Sequence, residues 1–378
     1  MRSLSHYIQA IQSRTAALIN ARRGFKTNRK IVVFESDDWG TIRMPSKEVF
    51  DKMTKLGLDT VGNPYNTNDS LATSEDLSAL FNVLSMYKDK NGVSPKITAN
   101  TCMVNPDFEK IKASNYTEYL YEPFTKTLER YPNCSFESWN EGIIAGIFVP
   151  QLHCREHLNV ERWMKELQNG NKELLQAFEL GTWGNRFNNL TESVVQGLIV
   201  NDENSLASQE QSLIEAMQLF ETIFGFTSKS FIAPCYTWNP EINPILKRLG
   251  VEYLQGTYIQ HTSSKGVATG RINHYMGEMN KEGQIYLTRN AYFEPTSNPQ
   301  MGADACLKNI EQAFRLNKPA VISTHRLNFI GAIRPENRDN NLRAFSSLLQ
   351  SIVKRWPDVE FMSSDELGDL IREEQNKG

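Results

Sequence analysis

Short apolar segments alternate with helical segments along most of this chain, and this alternation limits the possible folds more than any other feature. The segment 319–324 is rich in β-branched residues, whereas in 206–224 the apolar residues recur at helical spacing. The other predicted strands are 30–36, 95–100, 230–233, 251–254, 284–288 and 359–362. The other predicted helices are 47–56, 75–87, 239–249, 304–316 and 342–354. Such alternation favours an α/β fold whose parallel sheet is either open or closed into a barrel.

Charge and cysteine content exclude several other classes of protein. The 378 residues carry 41 Lys+Arg and 44 Asp+Glu, a net charge of −3, so no polyanion-binding surface covers the whole protein and no nucleic-acid partner is expected. No apolar run approaches the ~20 residues that span a bilayer, so no integral membrane segment is expected. The five cysteines are odd in number and never form a CxxC pair, which favours a reducing compartment and a cytoplasmic location.

The N-terminus has a distinct character. Residues 1–34 contain no acidic residue, and Leu4, Ile8, Ile11 and Leu18 fall on one helical face. We therefore expect a basic helical extension over 1–29 that packs on the domain. No continuous apolar core of a secretory signal is present, but a transit peptide or a helix in peripheral contact with a membrane surface would have the same character.

Polar residues recur where the predicted strands end. Asp37 and Asp38 follow the first strand, His153 ends a later apolar run, Cys235 and Tyr236 follow the strand 230–233, and His325 follows 319–324. In α/β barrels the chemistry gathers at the carboxyl ends of the strands. These side chains would therefore converge in space.

The two adjacent aspartates, Asp37 and Asp38, could have different roles. Adjacent carboxylates on an extended chain point in different directions, so one of them could bind a metal while its neighbour acts on water or substrate. An alternative is that the pair only caps a turn. His325 could act as a general acid or could cap its strand. The aromatic residues Trp39 and Tyr236 would suit a sugar ring or could pack in the core.

Two histidines lie four residues apart in His153-Cys154-Arg155-Glu156-His157. Imidazoles at this spacing can chelate one metal from a helical turn, although ordinary histidines are the alternative. The string also matches HxxEH, the pattern of inverted-motif zinc proteases with Glu156 as base, which requires one continuous helix. Pro150 precedes the first histidine by three residues, and this favours a strand-to-loop junction instead.

Together, the order of these motifs resembles the polysaccharide deacetylase (NodB-homology) family. The resemblance implies a deformed (β/α) barrel of seven or eight strands, formed by a single domain over 30–374. It also implies metal-dependent hydrolysis of an N-acetyl group on a sugar or polysaccharide. The expected partners are therefore a carbohydrate substrate and a divalent metal, usually zinc.

The resemblance further implies a role for each residue. Asp38, His153 and His157 would hold the metal, with a water completing the site. Asp37 would be the general base and His325 the general acid. The loop at Cys235 and Tyr236 would stabilise the oxyanion through a backbone N–H.

This chain departs from the family pattern at several positions. Ser36 and Trp39 stand where the family has an aromatic residue and a glycine around the aspartates, and Trp39 is assigned to the substrate surface. Ile232 replaces the arginine that pairs with the base, and Arg289 is the candidate to replace it. Glu294 is the candidate partner of His325.

Three hypotheses follow from the sequence. The first is a metal-dependent carbohydrate deacetylase, and the second is the inverted-motif metalloprotease. The third is a barrel that binds glycans without catalysis, for which the missing arginine at Ile232 is the main support.

Overall fold

The structure is a computed structural model that describes residues 22–60, 62–186 and 193–377. The strands are β1 (Lys30–Trp39), β2 (Ile97–Thr101), β3 (Val104–Pro106), β4 (Tyr121–Pro123), β5 (Phe148–Leu152), β6 (Ser230–Ile232), β7 (Tyr253–Gly256), β8 (Ile259–Ser264), β9 (Val267–Asn273), β10 (Ile285–Thr288), β11 (Ala291–Tyr292), β12 (Ala320–His325) and β13 (Val359–Met362). The helices are α1 (Lys47–Lys55), α2 (Pro64–Asn68), α3 (Ser74–Ser85), α4 (Phe108–Ala113), α5 (Phe124–Arg130), α6 (Phe136–Ile144), α7 (Val160–Gln168), α8 (Lys172–Glu179), α9 (Ser205–Phe224), α10 (Asn243–Arg248), α11 (Ala303–Arg315), α12 (Pro335–Arg355) and α13 (Ser364–Asn376).

The main sheet is a closed parallel barrel. Its strands run in the order β10-β7-β6-β5-β2-β1-β12-β11. Only Arg289 and Asn290 separate β10 from β11, so one kinked segment pairs with β7 in its first half and with β12 in its second. The ring therefore has seven positions, and β13 adds to the first half of β1. The prediction of an α/β barrel is confirmed.

Strand register places the predicted functional residues at one end of the barrel. Asp37 of β1 lies beside His325 of β12, and Thr101 of β2 lies beside Leu152 of β5, which directly precedes His153. Because all these strands are parallel, their carboxyl ends form a single rim. In β1, every residue after Lys30 is buried, as expected for a strand covered on both faces.

The barrel wall is covered by amphipathic helices whose apolar sides join one large core. Phe34 of β1 packs edge-on against Phe345 of α12, with ring centroids 5.2 Å apart. A smaller apolar cluster around Trp163 and Trp183 lies beneath the loops at the rim. Burying a side chain of this size contributes roughly 1.5–3 kcal/mol, so these contacts fix the helices that carry the rim loops.

Most of the predicted elements are present, with shifted ends. The predicted helix 342–354 begins earlier, at Pro335, where proline suits the first turn. The predicted helix 239–249 contains a 3-10 turn, Pro240–Ile242, followed by α10, since Pro240 and Pro244 interrupt the backbone hydrogen bonding. The prediction of a loop or hairpin over 258–284 corresponds to the antiparallel pair β8–β9.

The predicted N-terminal extension falls mainly outside the described residues, because these begin at residue 22. The part that is described lies against the barrel: the Lys318 ammonium donates hydrogen bonds to the carbonyls of Arg23 and Phe25. All five cysteines are described, and all are free thiols. Within the described ranges, no helix is both long and apolar enough to cross a membrane.

Candidate active site

The end of β1 directs its two aspartates to different sides. Asp38 has a left-handed backbone (φ 71°), and the pairing of β1 with β2 shifts register between Ser36 and Trp39. A non-glycine residue in this conformation is strained, and such strain concentrates at functional sites. As a result, the Asp37 carboxylate meets Arg289, whereas the Asp38 carboxylate meets two histidines.

Asp38, His153 and His157 form a compact cluster of possible metal ligands. One ligand atom from each lies within 4.8 Å of the others. His153 donates from Nδ1 to the Ile232 carbonyl (2.9 Å), which leaves its Nε2 3.5 Å from Asp38 Oδ1. His157 Nε2 also lies 3.5 Å from the same oxygen. The structure thus brings together the three residues assigned to the metal by sequence.

The chemistry of this cluster fits a divalent cation. Asp38 Oδ1 is buried and makes no hydrogen bond within the described part of the chain, although it faces two imidazoles. Burial lowers the pKa of His157 to about 3, with help from Arg43, so its imidazole is neutral, as a metal ligand must be. Two neutral imidazoles and one carboxylate suit zinc in a catalytic site, and they also suit other transition metals.

Arg43 holds the other oxygen of Asp38. Its guanidinium lies 3.3 Å from Asp38 Oδ2 and stacks between the rings of Tyr65 (4.9 Å) and Trp183 (5.1 Å). Gly184 leaves room for it, since a Cβ there would lie 3.3 Å from the guanidinium. Arg43 therefore orients Asp38 so that Oδ1 is offered to the histidines.

Asp37 is held by a buried arginine that lies between β10 and β11. Arg289 donates to both Asp37 oxygens at 2.7 Å and to Glu35 at 2.6 Å, and Asn100 donates to Asp37 Oδ1 at 2.8 Å. Burial alone would raise the pKa of Asp37, but the charge and hydrogen bonds of Arg289 lower it to about 2. The expected contact of Arg289 with Asp37 is present, whereas its side chain is fully buried and is not a surface for substrate.

We expect Arg289→Met to destabilise the fold by about 3–5 kcal/mol, because it leaves Glu35 and Asp37 buried without their positive partner. Urea unfolding of the two proteins measures this difference. Arg29→Met is the matched control: it breaks a half-exposed pair with Glu360 and should cost about 1 kcal/mol or less. Equal losses in the two variants would contradict this account of the buried network.

His325 lies on the rim beside Asp37, at the end of the neighbouring strand β12. Its Nδ1 is 2.6 Å from Glu294 Oε1, and its Nε2 is 3.8 Å from Asp37 Oδ2. Burial by itself would lower the pKa of His325, but the negative charges of Glu294, Asp37 and Asp38 raise it to about 9. His325 is therefore protonated at neutral pH, and Glu294 is the partner that the sequence suggested.

The loop at Cys235 and Tyr236 lies over the base. Both residues have positive φ (53° and 55°), and the Tyr236 hydroxyl accepts a hydrogen bond from Arg289 at 3.0 Å. The Tyr236 N–H already donates to the Ala233 carbonyl (3.0 Å). The prediction of a backbone oxyanion donor therefore does not hold for Tyr236 as it stands.

The assignment of Trp39 to the substrate surface is wrong. Its indole is fully buried, donates to the Ser36 hydroxyl at 2.9 Å, and packs edge-on against Trp139 and Phe148. The shifted register at Asp38 turns the side chain of Trp39 into the core between the barrel and its helices. Trp39 therefore stabilises the end of β1 from the side that faces the surrounding helices.

The structure also contradicts the metalloprotease hypothesis. His153 directly follows β5, and Cys154 has a left-handed backbone (φ 72°), so residues 153–157 are not helical. The Glu156 carboxylate points away from the histidines and pairs with Arg155 at 2.7 Å. The strand-to-loop junction that Pro150 favoured is present, and the two imidazoles project from this junction instead of from a helical turn.

The residues of the candidate site line one cavity of about 550 Å³. Its lining includes the two aspartates, the three histidines, Cys235 and Tyr236. It also includes residues that the sequence interpretation did not identify: Arg43, Asn63, Tyr65, Asn185 and Arg186. Arg43 follows β1, and Asn63 and Tyr65 lie at the start of α2. Asn185 and Arg186 lie in the segment 183–186, which has no periodic pattern. Of these residues, only Arg43 could have been predicted from the sequence, because it lies five residues after Asp38.

No protein-family model matches the sequence, and no curated protein matches it either. Solved structures similar to this chain include the 4-α-glucanotransferase of Thermococcus litoralis (11% identity, TM-score 0.44, 90% of this chain covered). A probable polysaccharide deacetylase of Pseudomonas aeruginosa matches at 10% identity and TM-score 0.43, covering 90% of this chain and 91% of its own. A CE4-family pseudoenzyme of Bacillus anthracis matches at 10% identity and TM-score 0.38, covering 90% of this chain and 66% of its own.

These matches include the family that the motif order resembles, and they also include other functions. This chain spans 40% of the glucanotransferase's length. Similarity at this level, with TM-scores below 0.5, does not assign an activity.

Proposed function

We propose that this chain is a metal-dependent hydrolase that removes the N-acetyl group from a sugar or polysaccharide. The observation that carries the proposal is one cavity lined by a three-residue cluster of possible metal ligands, by the buried carboxylate of Asp37, and by His325, whose Nε2 lies 3.8 Å from that carboxylate. Amide hydrolysis requires activation of water, stabilisation of an oxyanion and protonation of an amine. Each requirement has a candidate group in this cavity.

Asp38, His153 and His157 would hold the metal, and zinc is the candidate that their chemistry suits best. When bound, the metal supplies a Lewis acid that polarises the amide carbonyl and activates water. The chain itself contributes the orientation of these ligands. Arg43 fixes Asp38, and the Ile232 carbonyl fixes the tautomer of His153.

Asp37 would accept the proton of the attacking water. Its low pKa keeps the carboxylate ionised at any working pH, and the Arg289 clamp fixes its position. Such a carboxylate is a weak base and holds the proton only briefly. His325 Nε2 lies 3.8 Å from Asp37 Oδ2, so the two groups can serve the same reacting centre.

His325 would protonate the departing amine. Glu294 accepts from Nδ1, so Nε2 is the nitrogen that faces the cavity. With a pKa of about 9, His325 carries the required proton at neutral pH. The products would be acetate and a free amino sugar.

We expect Glu294→Gln to move the alkaline limb of the kcat profile to lower pH by about one unit, because it removes the main charge that raises the pKa of His325. In the wild type this limb should lie at or below pH 9, since a bound cation would repel the imidazolium. Activity falls as pH rises through this pKa because the acid loses its proton. An unchanged limb in the variant would exclude His325 as the acid.

The proposal is tested by measuring acetate release from N-acetylated oligosaccharides. We expect acetate and free amine in equal amounts, loss of activity on chelation, and recovery when zinc is added back. Binding of the same sugars without acetate release would favour the non-catalytic alternative. The main support for that alternative was the missing arginine at Ile232, and Arg289 now occupies the corresponding contact with Asp37.

A further inference from the structure

We propose that Asn185 is a specificity-determining residue, whose side-chain amide binds two neighbouring polar groups of the sugar, such as vicinal hydroxyls. This inference rests on the proposed function and specifies the substrate class within it. Asn185 is 4% exposed and lines the cavity that contains the metal cluster. Neither Nδ2 nor Oδ1 has a hydrogen-bond partner among the described residues.

An unpartnered amide in this position is unusual because its surroundings are well anchored. On one side, Trp183 donates from Nε1 to the Ile42 carbonyl at 2.7 Å, and Thr182 donates to the Ala177 carbonyl at 3.0 Å. On the other side, the Arg186 N–H donates to Asp59 Oδ2 at 2.8 Å. Hydrogen bonds of neighbouring residues therefore hold the chain on both sides of Asn185, whereas neither polar atom of its amide has a partner among the described residues.

The place of Asn185 in the cavity connects it to the reaction. It lies two residues after Trp183, whose ring centroid is 6.4 Å from that of His157. Asp59 also accepts hydrogen bonds from Asn63 and Asn66, so it joins the start of α2 to the loop 183–186 beside the cavity. Asn185 therefore belongs to a built wall next to the metal cluster.

The chemistry of the amide defines the ligand. A primary amide offers N–H donors and a carbonyl acceptor side by side, so it is satisfied by a ligand that presents one acceptor and one donor together. Vicinal hydroxyls of a pyranose meet this condition, and a small rotation of the amide toward the cavity would bring them into contact. A substrate that lacks one of the two hydroxyls would leave a buried polar atom unpaired and would be rejected.

Asn185→Leu tests the inference, because leucine has a similar size and no polar atom. In the ligand-free protein we expect an unchanged or higher Tm, since an unpaired buried amide is removed. In an Asp37→Asn background, we expect binding of N-acetylchitotetraose or an N-acetylgalactosamine tetrasaccharide to weaken by on the order of tenfold. When Asn185→Leu is the only substitution, the KM for the same sugars should also rise.

Asn243→Leu is the matched control. Asn243 is 3% exposed, accepts a hydrogen bond from the Trp238 indole at 3.2 Å, and does not line the cavity. This variant should have a lower Tm, because the buried indole loses its partner, and an unchanged affinity for the sugars. A drop in Tm for Asn185→Leu equal to that of the control would show a structural amide and overturn the inference.

The binding data separate this inference from the proposed function. If the Asp37→Asn protein binds a sugar and the double variant with Asn185→Leu binds it equally well, the inference alone is wrong. If the Asp37→Asn protein does not bind these N-acetylated sugars and the wild type does not deacetylate them, the proposed function fails and the inference fails with it.

Discussion

Replacing Asp37 with asparagine is expected to lower kcat by on the order of 10³-fold while the protein keeps its metal. Asparagine has nearly the same shape but cannot accept the proton of the attacking water. Asp37 is separate from the cluster of Asp38, His153 and His157, so its loss leaves the three ligands in place. Acetate release and metal content, measured on the same preparation, report the two effects separately.

Glu35→Gln is the matched control for this variant. Glu35 shares Arg289 with Asp37 and is fully buried, but it does not line the cavity. It should lower stability through the same buried network and retain most of the activity. If Asp37→Asn retained activity within about tenfold of the wild type, Asp37 would not be the base.

His157→Ala and Asp38→Ala are expected to abolish both metal binding and activity. Changing a residue that only supports a metal ligand typically weakens metal affinity 10–100-fold, so losing a ligand should weaken it by at least about 100-fold. Metal titration with a competing chelator measures the affinity directly. Since Asp37→Asn should keep the metal, the two classes of variant distinguish ligand from base.

His274→Ala is the control for the loss of a buried histidine. His274 lies outside the cluster, where it bonds Gln260 at 2.8 Å and stacks on Tyr286. We expect this variant to be destabilised and to bind metal normally. Equal loss of metal in His274→Ala and His157→Ala would mean that folding, and not ligation, controls the metal content.

The barrel and the position of the site could be predicted because both depend on short-range patterns. Buried parallel strands are continuous apolar runs, and 319–324 is an example that the structure reproduces closely as β12. Polar residues directly after such runs must lie on one rim of the barrel. This rule correctly predicted that Asp38, His153 and His325 line the same cavity.

Other features depend on tertiary contacts that no local pattern reports. The left-handed backbone of Asp38 sends Trp39 into the core, although its position beside the aspartates suggested a substrate surface. The ring closes at Arg289 because β10 pairs with β7 whereas β11 pairs with β12, and such pairing between distant segments leaves no local sequence pattern. Asn185 lies in a loop without periodicity, so its unpaired amide could not be foreseen.

Metal content of the purified protein, measured by elemental analysis after equilibration with zinc, tests the central claim most directly. The wild type should contain close to one metal ion per chain, because one set of three ligands was found among the described residues. The double variant His153→Ala with His157→Ala should contain almost none. A folded double variant that still binds one metal ion per chain as tightly as the wild type would contradict the assignment of this site.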